Sequence, residues 1–418
     1  MKKLLLLLAL ALPLAACGPR ENTVPLPEGI EDNLYRMGVN TNPYEYFPQA
    51  ETPVPAGYKP FYISHYGRHG SRSDWGGTLY EDVLAAYTKA REAGVLTEEG
   101  EKAFGMIQEI NRLHNDMNGR LTPRGAREHR AIAQRMYKKY RKVFRGGKVR
   151  AVSSTVPRCI VSMAAFTGEL LSLDPKLDIG WDTGERFMEY CSSVDPKDVT
   201  REAYELIIAH ADSEALDSVY FASLVFTDMD AARAAIGQSM KDVMEGTGAF
   251  AAISGAFDQD ETLLRLFSLK DLEHYARNVS LNLYLRQCNS LEFGDRRMAV
   301  PEVGNFVEDV VAKADEAIAG GPVAVDLRFG HDYQLLAVCS RLGVKGIAER
   351  LSKDEAVNWP GWLYSPFAGN LQMIFYRNAS DDVLVKFYIN ERETGLTVMD
   401  GGPYYPWEAV KQAWKPHE

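Results

Sequence analysis

The chain has 418 residues, of which 46% are hydrophobic and 11% aromatic, which is enough to build one large domain or two packed ones. Its 47 Lys+Arg and 57 Asp+Glu give a formal net charge of -10, which argues against general nucleic-acid binding, because such binding needs a basic surface. An anion site in this chain must therefore be a local positive pocket in an acidic protein.

The first 17 residues have the pattern of a secretory signal peptide. Lys2 and Lys3 precede an apolar run over residues 4–14, which is too short to span a membrane stably. The run ends at Leu14-Ala15-Ala16-Cys17, which resembles a bacterial lipobox. Residues 1–17 therefore predict an exported lipoprotein, periplasmic or at the cell surface, anchored to the membrane by lipid on Cys17. An ordinary signal peptide cut nearby and an uncleaved anchor are the alternatives.

Residues 18–58 are rich in proline, asparagine and glutamate, which indicates a tether followed by an irregular lead-in. Three later apolar runs, over residues 61–66, 149–152 and 323–329, have the length of strands and end at polar residues. Long helical patterns separate the runs, which predicts a mostly parallel sheet flanked by helices. In such sheets, ligands bind beyond the carboxyl ends of the strands.

The remaining patterns predict a division into domains. Apolar runs over residues 371–376 and 383–389 flank a polar turn, which indicates a hairpin at a sheet edge. Residues 166–318 have mainly helical patterns. We therefore predict an α/β domain formed by residues 59–165 and 319–418, with an inserted, mainly helical domain over residues 166–318.

Four cysteines follow Cys17 in the sequence: Cys159, Cys191, Cys288 and Cys339. An exported protein can form disulfides, but four cysteines allow three pairings, and the sequence does not choose among them. Their wide spacing, without a C-x-x-C pair, predicts no metal site.

The segment Arg68-His69-Gly70-Ser71-Arg72 places a histidine between two arginines directly after the first predicted strand. The planar guanidinium of arginine donates hydrogen bonds in pairs and stays charged, which suits the oxygens of a phosphate monoester. A histidine held against a bound phosphate can attack phosphorus through a ring nitrogen, while the guanidinium groups neutralise charge in the transition state. The alternative is a basic turn on a solvated surface, in which His69 is structural.

His331 and Asp332 follow the third predicted strand and precede a helical pattern. Because an alkoxide is a poor leaving group, a carboxylic acid here can protonate the leaving oxygen as its bond to phosphorus breaks. The alternative is structural, since Asp332 is also a suitable N-cap for the helix that follows.

These motifs resemble those of the histidine acid phosphatases, the two-arginine branch of the histidine phosphatase superfamily. The first family motif is R-H-G-x-R-x-P, and this chain continues from Arg72 with Ser73 and Asp74, so that Asp74 stands in place of the proline. Residues 121–125, L-T-P-R-G, resemble the family's L-T-x-x-G stretch, which opens a helix with Thr122 as its cap. Residues 329–332, F-G-H-D, resemble the second catalytic motif, and the whole resemblance covers residues 59–395.

The resemblance implies a phosphoglycerate-mutase-like α/β fold and a phosphohistidine intermediate, without a metal or an organic cofactor. It implies that His69 is the nucleophile and that Asp332 donates a proton to the leaving group. The phosphate-binding residues that it implies are Arg68, Arg72, Arg158 and His331. Arg150, within the second predicted strand, is the competing candidate for the role of Arg158.

The predicted function is an exported phosphomonoesterase that acts on a small-molecule phosphate ester. An inositol polyphosphate such as phytate is the leading substrate, and a sugar phosphate is the alternative. His331-Asp332-Tyr333 stands where some inositol-polyphosphate phosphatases have H-A-E, which leaves the substrate open. Two other functions fit the same motifs. One is a tethered phospho-ligand binding protein with a degenerate site, and the other is a phosphomutase, which transfers the phosphoryl group to an acceptor other than water.

Overall fold

The structure is a computed structural model that describes residues 33–74, 78–114 and 117–415. The predicted signal peptide, with Cys17, lies outside the described residues. Within the described ranges, no helix combines the length and the apolar character that crossing a membrane requires.

One mixed sheet lies at the centre of the fold. Its strands are, in chain order, β1 (Lys59–Arg68), β2 (Lys148–Ser153), β3 (Ile179–Thr183), β4 (Val323–Gly330), β5 (Asn370–Arg377), β6 (Val383–Ile389), β7 (Arg392–Thr394) and β8 (Tyr404–Pro406). Their spatial order is β3-β2-β4-β1-β5-β6-β7, and β8 also pairs with β6. The pairings among β3, β2, β4 and β1 are parallel, whereas all the pairings from β1–β5 onward are antiparallel.

The α/β fold class predicted from the sequence is confirmed, and the three strands with polar ends are the neighbours β2, β4 and β1. The sheet is parallel in only half of its width, because the predicted hairpin, β5–β6, pairs directly with β1. The hairpin therefore lies inside the sheet and not at its edge. The pattern of an apolar strand shows that the strand is buried but not which strand lies beside it.

The helices surround this sheet. Those of the described residues are α1 (Thr78–Glu92), α2 (Glu98–His114), α3 (Pro123–Phe144), α4 (Pro157–Leu173), α5 (Glu185–Cys191), α6 (Lys197–Ala211), α7 (Ser218–Val225), α8 (Met229–Ile236), α9 (Met240–Ser254), α10 (Leu269–Gln287), α11 (Gly294–Met298), α12 (Pro301–Ile318), α13 (Asp332–Leu342), α14 (Lys353–Ala356), α15 (Gly361–Tyr364) and α16 (Trp407–Trp414). Short 3-10 helices are Leu34–Thr41, kinked at Val39, Gly255–Phe257 and Leu264–Leu266.

Both faces of the sheet are covered, because alternate side chains of a strand point to opposite faces. Ile63 of β1 packs in a core with residues of α3 and α4. Tyr62 and Tyr66 pack in a second core, which includes residues of α12 and α13 and continues into the remaining helices. β1 is thus enclosed on both faces and between two strands, which fixes the position of the residues that follow it.

The helices α1 and α2 pack against α7, α8 and α9, and α6 packs against α10. The packing therefore crosses the predicted domain boundaries. The helices α1 and α2, from within 59–165, contact helices of the predicted insert, whereas β3, from within 166–318, is a strand of the sheet. A helical or strand pattern does not state what the element packs against, so the division into two domains stays a prediction.

Candidate active site

The carboxyl ends of β1, β2 and β4 lie level with one another. Arg68 is opposite Gly330, and Ser153 is opposite Phe329. The polar segments that follow the three strands therefore begin at one edge of the sheet, which is where parallel α/β sheets bind ligands.

His69 follows β1 in a turn that is hydrogen-bonded on two sides. Its backbone amide donates to the carbonyl of Gly330 at 2.9 Å, and its carbonyl accepts from the amide of Ala368 at 2.9 Å. The next residue, Gly70, lies against the first turn of α3. A Cβ atom on Gly70 would be only 2.5 Å from the carbonyl oxygen of Gly125, so only glycine permits this close approach.

The N-terminal part of α3 holds the loop after His69 in place. Thr122 caps α3 by accepting from the amide of Gly125, as the sequence predicted, and its amide and hydroxyl both donate to the carbonyl of Ser71, at 2.9 and 3.1 Å. Glu128, which the sequence analysis did not single out, accepts from the amide and the hydroxyl of Ser71 at 2.8 and 2.7 Å. The buried carboxylate of Glu128 thus fixes the loop between His69 and Arg72.

The His69 ring is 2% exposed and has a defined tautomer. Its Nδ1 lies 3.0 Å from the carbonyl oxygen of Gly70, which can only accept a hydrogen bond. Nδ1 therefore carries the proton, and Nε2 carries the lone pair. Burial, together with the charges of Arg68 and Arg158, holds the pKa of His69 well below its ordinary value of 6.5. The free imidazole is therefore neutral and nucleophilic even in mildly acidic solution.

Arg68 is 1% exposed and is fixed by hydrogen bonds. Its Nη1 donates to the carbonyls of Asn40 and Ser365, both at 2.8 Å, and its Nη2 lies 3.0 Å from Oδ2 of Asp332. Burial lowers the pKa of Arg68 to about 10, although the charge of Asp332 opposes this effect. Arg68 therefore remains a cation at neutral and acidic pH.

Arg72, the second arginine of the first motif, lies near Asp74. Its Nη1 donates to the carbonyl of Ser73 at 2.8 Å and lies 3.6 Å from Oδ1 of Asp74. The other oxygen of Asp74, Oδ2, accepts from the hydroxyl of Tyr80 at 2.9 Å. The residue that replaces the family's proline therefore forms an ion pair with a predicted phosphate-binding arginine.

Arg158 and His331 meet at the carboxyl ends of β2 and β4. Nη2 of Arg158 lies 3.3 Å from Nδ1 of His331, and Nε2 of His331 lies 3.1 Å from Oγ of Ser154. A guanidinium only donates, so Nδ1 accepts and the proton of His331 is on Nε2. Burial and the charge of Arg158 lower the pKa of His331 to about 3. The rings of His331 and His69 have centroids 5.7 Å apart.

Arg150 lies away from this cluster. Its Nε is 2.6 Å from Oδ1 of Asp326 and its Nη2 is 3.1 Å from Oδ2, in a bidentate pair between the paired strands β2 and β4. Of the two candidates that the sequence left open, the structure brings Arg158 to His331 and engages Arg150 in an ion pair within the sheet.

Asp332 is the first residue of α13, whereas His331 is its N-cap, so Asp332 does not cap the helix as the structural alternative proposed. Oδ2 of Asp332 lies 3.0 Å from Nη2 of Arg68 and accepts from Nδ2 of Asn40 at 3.2 Å. Burial raises the pKa of Asp332, but the charge of Arg68 and the Asn40 hydrogen bond outweigh it, so the net shift is downward. Asp332 is therefore ionised before a ligand binds.

Asn40 belongs to this site, and the sequence did not indicate it. It lies in the lead-in predicted to be irregular, 292 residues before Asp332, and no motif surrounds it. Its side chain contacts Asp332 and its carbonyl contacts Arg68. An asparagine in an irregular segment carries no periodic signal, so only the tertiary structure reveals its position.

The arrangement gathers His69, Asp332 and the four predicted phosphate-binding residues, Arg68, Arg72, Arg158 and His331, around the end of β1. Three guanidinium groups can neutralise one phosphate dianion while a neutral imidazole faces it. The described residues hold no group of three or more His, Cys, Asp or Glu placed to bind a metal ion. The four cysteines after Cys17 are buried free thiols.

The sequence matches no protein-family model and no curated protein. Solved structures do match. The multiple inositol polyphosphate phosphatase of Bifidobacterium longum, in complex with phosphate, is 16% identical and aligns with a TM-score of 0.72 over 91% of this chain and 97% of its own. Its complex with inositol hexasulfate aligns over the same shares, also at 16% identity, with a TM-score of 0.69.

The phytase from D. castellii also matches, at 13% identity and a TM-score of 0.63, over 96% of this chain and 89% of its own. At sequence identities this low, the structural match establishes a common fold and leaves the activity to be argued from the site. Each of these neighbouring chains is matched over 89% or more of its length. The chain thus has the histidine acid phosphatase fold that the multiple inositol polyphosphate phosphatase and the phytase share.

Proposed function

We propose that the chain is a phosphomonoesterase that works through a phosphohistidine at Nε2 of His69. The observation that carries the proposal is the hydrogen bond from Nδ1 of His69 to the Gly70 carbonyl, because it leaves the lone pair on Nε2. The charges of Arg68, Arg158 and Arg72 all act on the His69 ring, so their guanidinium groups can stabilise the negative charge of the transferred phosphoryl group. His331 completes the phosphate-binding group.

The reaction takes place in two steps. In the first, Nε2 of His69 forms a bond to phosphorus as the ester P–O bond breaks, and Asp332 gives a proton to the leaving oxygen. In the second, water attacks the phosphohistidine, the P–N bond breaks and phosphate leaves. Asp332 takes up the proton of the attacking water and returns to the carboxylate of the free protein when phosphate leaves.

Asp332 must gain a proton before it can act as an acid. In the free protein, the charge of Arg68 and the hydrogen bond from Asn40 favour the carboxylate of Asp332. A bound phosphate dianion brings negative charge to Arg68 and its neighbours, which raises the pKa of Asp332. Binding of the substrate thus promotes protonation of the Asp332 carboxylate.

The leading substrate class that we propose is inositol polyphosphates such as phytate, with sugar phosphates as the alternative. The similarity in fold to a phosphatase solved with inositol hexasulfate supports the first class. We also propose export as a lipoprotein, with lipid on Cys17 holding the enzyme at a membrane. This proposal rests on the sequence of residues 1–17 alone.

The test is phosphate release from a panel of esters, including phenyl phosphate, phytate and glucose phosphate, with EDTA present. We expect chelator-resistant release that His69→Ala abolishes and that His210→Ala, a substitution in α6, leaves intact. Acid-labile, base-stable labelling of the enzyme by radioactive substrate would report the phosphohistidine. Full activity of His69→Ala would overturn the mechanism.

Two results would favour the alternative functions. Binding of inorganic phosphate without release from any ester would indicate a phospho-ligand binding protein with a degenerate site. Transfer of the phosphoryl group to an added alcohol in preference to water would indicate a phosphomutase.

A further inference from the structure

A cavity of about 630 Å³ lies between α6, α9, α10 and the helical segment Leu34–Thr41. Its volume is in the range of small-molecule binding sites, which are usually apolar with a few polar groups. Apolar side chains of its wall include Met37, Leu216, Met244, Phe267 and Leu272. The phosphate-binding residues are not part of this wall, so the cavity needs an explanation of its own.

One wall of the cavity lies close to the proposed active site. Met37 and Gly38 line it, and they belong to the same short helix as Asn40, which contacts both Arg68 and Asp332. Consecutive Cα atoms are about 3.8 Å apart, so the Cα atoms of Gly38 and Asn40, two residues along the segment, lie within about 7.6 Å of each other.

A second residue connects the cavity to the phosphate end of the site. The Tyr80 hydroxyl donates to Oδ2 of Asp74 at 2.9 Å, and the Tyr80 ring packs on Phe250 of α9, with centroids 4.4 Å apart. Ala249 and Ala251, on either side of Phe250, line the cavity. Asp74 is itself the ion-pair partner of Arg72. The cavity thus begins beside the segment that holds Asp332 and near the carboxylate that faces Arg72.

The charges of the cavity wall decide which part of a substrate it can accept. Its charged residues are Asp212, Glu214, Lys241, Glu245 and Asp271, and the Lys241 ammonium lies 3.5 Å from Glu245. A second phosphate group would meet net negative charge here. An uncharged aliphatic chain would instead bury its surface against methionine, leucine and phenylalanine side chains.

We propose that this cavity receives the alkyl chain of a phosphate monoester whose phosphate is held at His69, so that the enzyme also hydrolyses monophosphates of long-chain aliphatic alcohols. The inference rests on the proposed phosphomonoesterase function. The ester P–O bond breaks as the P–N bond to His69 forms, Asp332 protonates the alkoxide oxygen, and the free alcohol leaves. Water then hydrolyses the phosphohistidine and releases phosphate.

The test is the dependence of kcat/KM on chain length in a series of n-alkyl phosphates from methyl to decyl, at concentrations at which the esters are monomeric. Each methylene that enters an apolar site improves binding about fourfold. We expect kcat/KM to rise by a factor of this order for each methylene until the cavity is filled. Equal values across the series would overturn the proposal.

A substitution that fills the cavity gives a sharper test. Gly248 of α9 lines the cavity, and a Cβ atom placed there would meet Phe267 at 3.6 Å, an ordinary contact distance. Gly248→Leu therefore extends a side chain into the space, and leucine is a better helix former than glycine. We expect the decyl-to-methyl ratio of kcat/KM to fall at least tenfold. The matched control is Gly168→Leu in α4, where a Cβ atom meets nothing within 4 Å, and it should keep the wild-type ratio.

Binding of decylphosphonate and methylphosphonate, measured by calorimetry, separates this proposal from the proposed function. Phosphonates are not hydrolysed, so the measurement does not depend on turnover. Tighter binding of decylphosphonate, lost in Gly248→Leu, would support the cavity even if no ester were hydrolysed. Equal binding of the two ligands would overturn the cavity proposal, whereas hydrolysis of methyl phosphate that depends on His69 would still support the phosphatase.

Discussion

The carboxylate of Glu128 accepts hydrogen bonds from both the backbone amide and the hydroxyl of Ser71, at 2.8 and 2.7 Å. Ser71 lies between His69 and Arg72, so this contact sets the conformation of the loop that carries the proposed nucleophile. The side-chain amide of Glu128→Gln has the same size as the carboxylate, but its N–H groups would point at one of these two donors. We expect kcat/KM for phenyl phosphate to fall by roughly 10²-fold, because a displacement of about 1 Å in a catalytic group has an effect of this order.

Glu391 offers a matched control for this substitution. Its buried carboxylate pairs with Arg135 of α3 and accepts from the hydroxyl of Tyr44, but it does not contact the Ser71 loop. Glu391→Gln should lower the free energy of unfolding while keeping most of the activity. If the two variants lost activity in proportion to their loss of stability, the role of Glu128 in positioning the loop would be wrong.

Asp332→Asn tests the proposed proton donor through its dependence on the leaving group. A general acid contributes roughly 10²–10⁴-fold to a rate, and it matters most when the leaving oxygen is basic. We expect a loss of this size for alkyl phosphates and a much smaller loss for p-nitrophenyl phosphate, whose leaving group needs no proton. Steady-state kcat values across a series of leaving groups measure this difference. An equal loss for all esters would show that Asp332 acts in some other way.

The same substitution, arginine to lysine, can be compared at Arg158 and at Arg150, which lie on neighbouring elements. Arg158→Lys keeps the charge but removes the donor geometry beside His331, and a hydrogen bond to a charged group contributes about 1.5–3 kcal/mol. The inhibition constant of inorganic phosphate should therefore rise about tenfold or more. Arg150→Lys should leave that constant unchanged and lower Tm, because it breaks the bidentate pair with Asp326. The reverse result would assign the phosphate to Arg150.

Two buried histidines below the site predict how stability depends on pH. Burial lowers the pKa of both His65 and His129 from 6.5 to about 3. As the pH falls below 6.5, the unfolded chain gains protons that the folded chain does not accept until about pH 3. The free energy of unfolding should therefore decrease with falling pH over this window, by up to about 1.4 kcal/mol per pH unit for each histidine.

Urea unfolding of His129→Leu between pH 6 and pH 4 measures this contribution. The variant should show a shallower dependence of the unfolding free energy on pH than the wild type. Phe166→Leu, which changes the packing beside His65 without removing a titrating group, should shift the curve and keep its slope. An unchanged slope in His129→Leu would mean that the ring is protonated in the folded protein.

The sequence predicted the elements that are determined by their own residues and their immediate neighbours in the chain. Apolar runs that end in polar residues identified β1, β2 and β4, and Thr122 was identified as a helix cap because a cap needs only its own helix. The same runs did not predict β3, since Ile179–Thr183 is short and largely exposed and lacks the apolar pattern of a buried strand. The position of the hairpin inside the sheet was also hidden, because pairing with β1 depends on residues more than 300 positions away.

The residues of the candidate site also fall into two groups, those that a local sequence motif indicates and those that only the structure reveals. His69, Arg68 and Arg72 form one contiguous motif, and His331 and Asp332 form another, so both could be found in the sequence. Asn40 and Glu128 act through contacts that span 292 and 57 residues, and nothing in their immediate sequence distinguishes them. Asp74 was noticed as a departure from the family motif, but its ion pair with Arg72 required the structure.

Because the carboxyl ends of β1 and β4 lie level with each other, ligand binding at this edge of the sheet depends on folding. Arg68 and Gly330 are neighbours in the sheet, yet more than 260 residues of chain lie between them, and most of the helices form within that interval. No fragment that lacks either strand can assemble the proposed phosphate-binding residues, so we expect inorganic phosphate to bind only the completed fold. At a hundred times its Kd, such a ligand would add about 2.7 kcal/mol to the free energy of unfolding. Phosphate, the product of the proposed reaction, would thus act as a chemical chaperone for the enzyme.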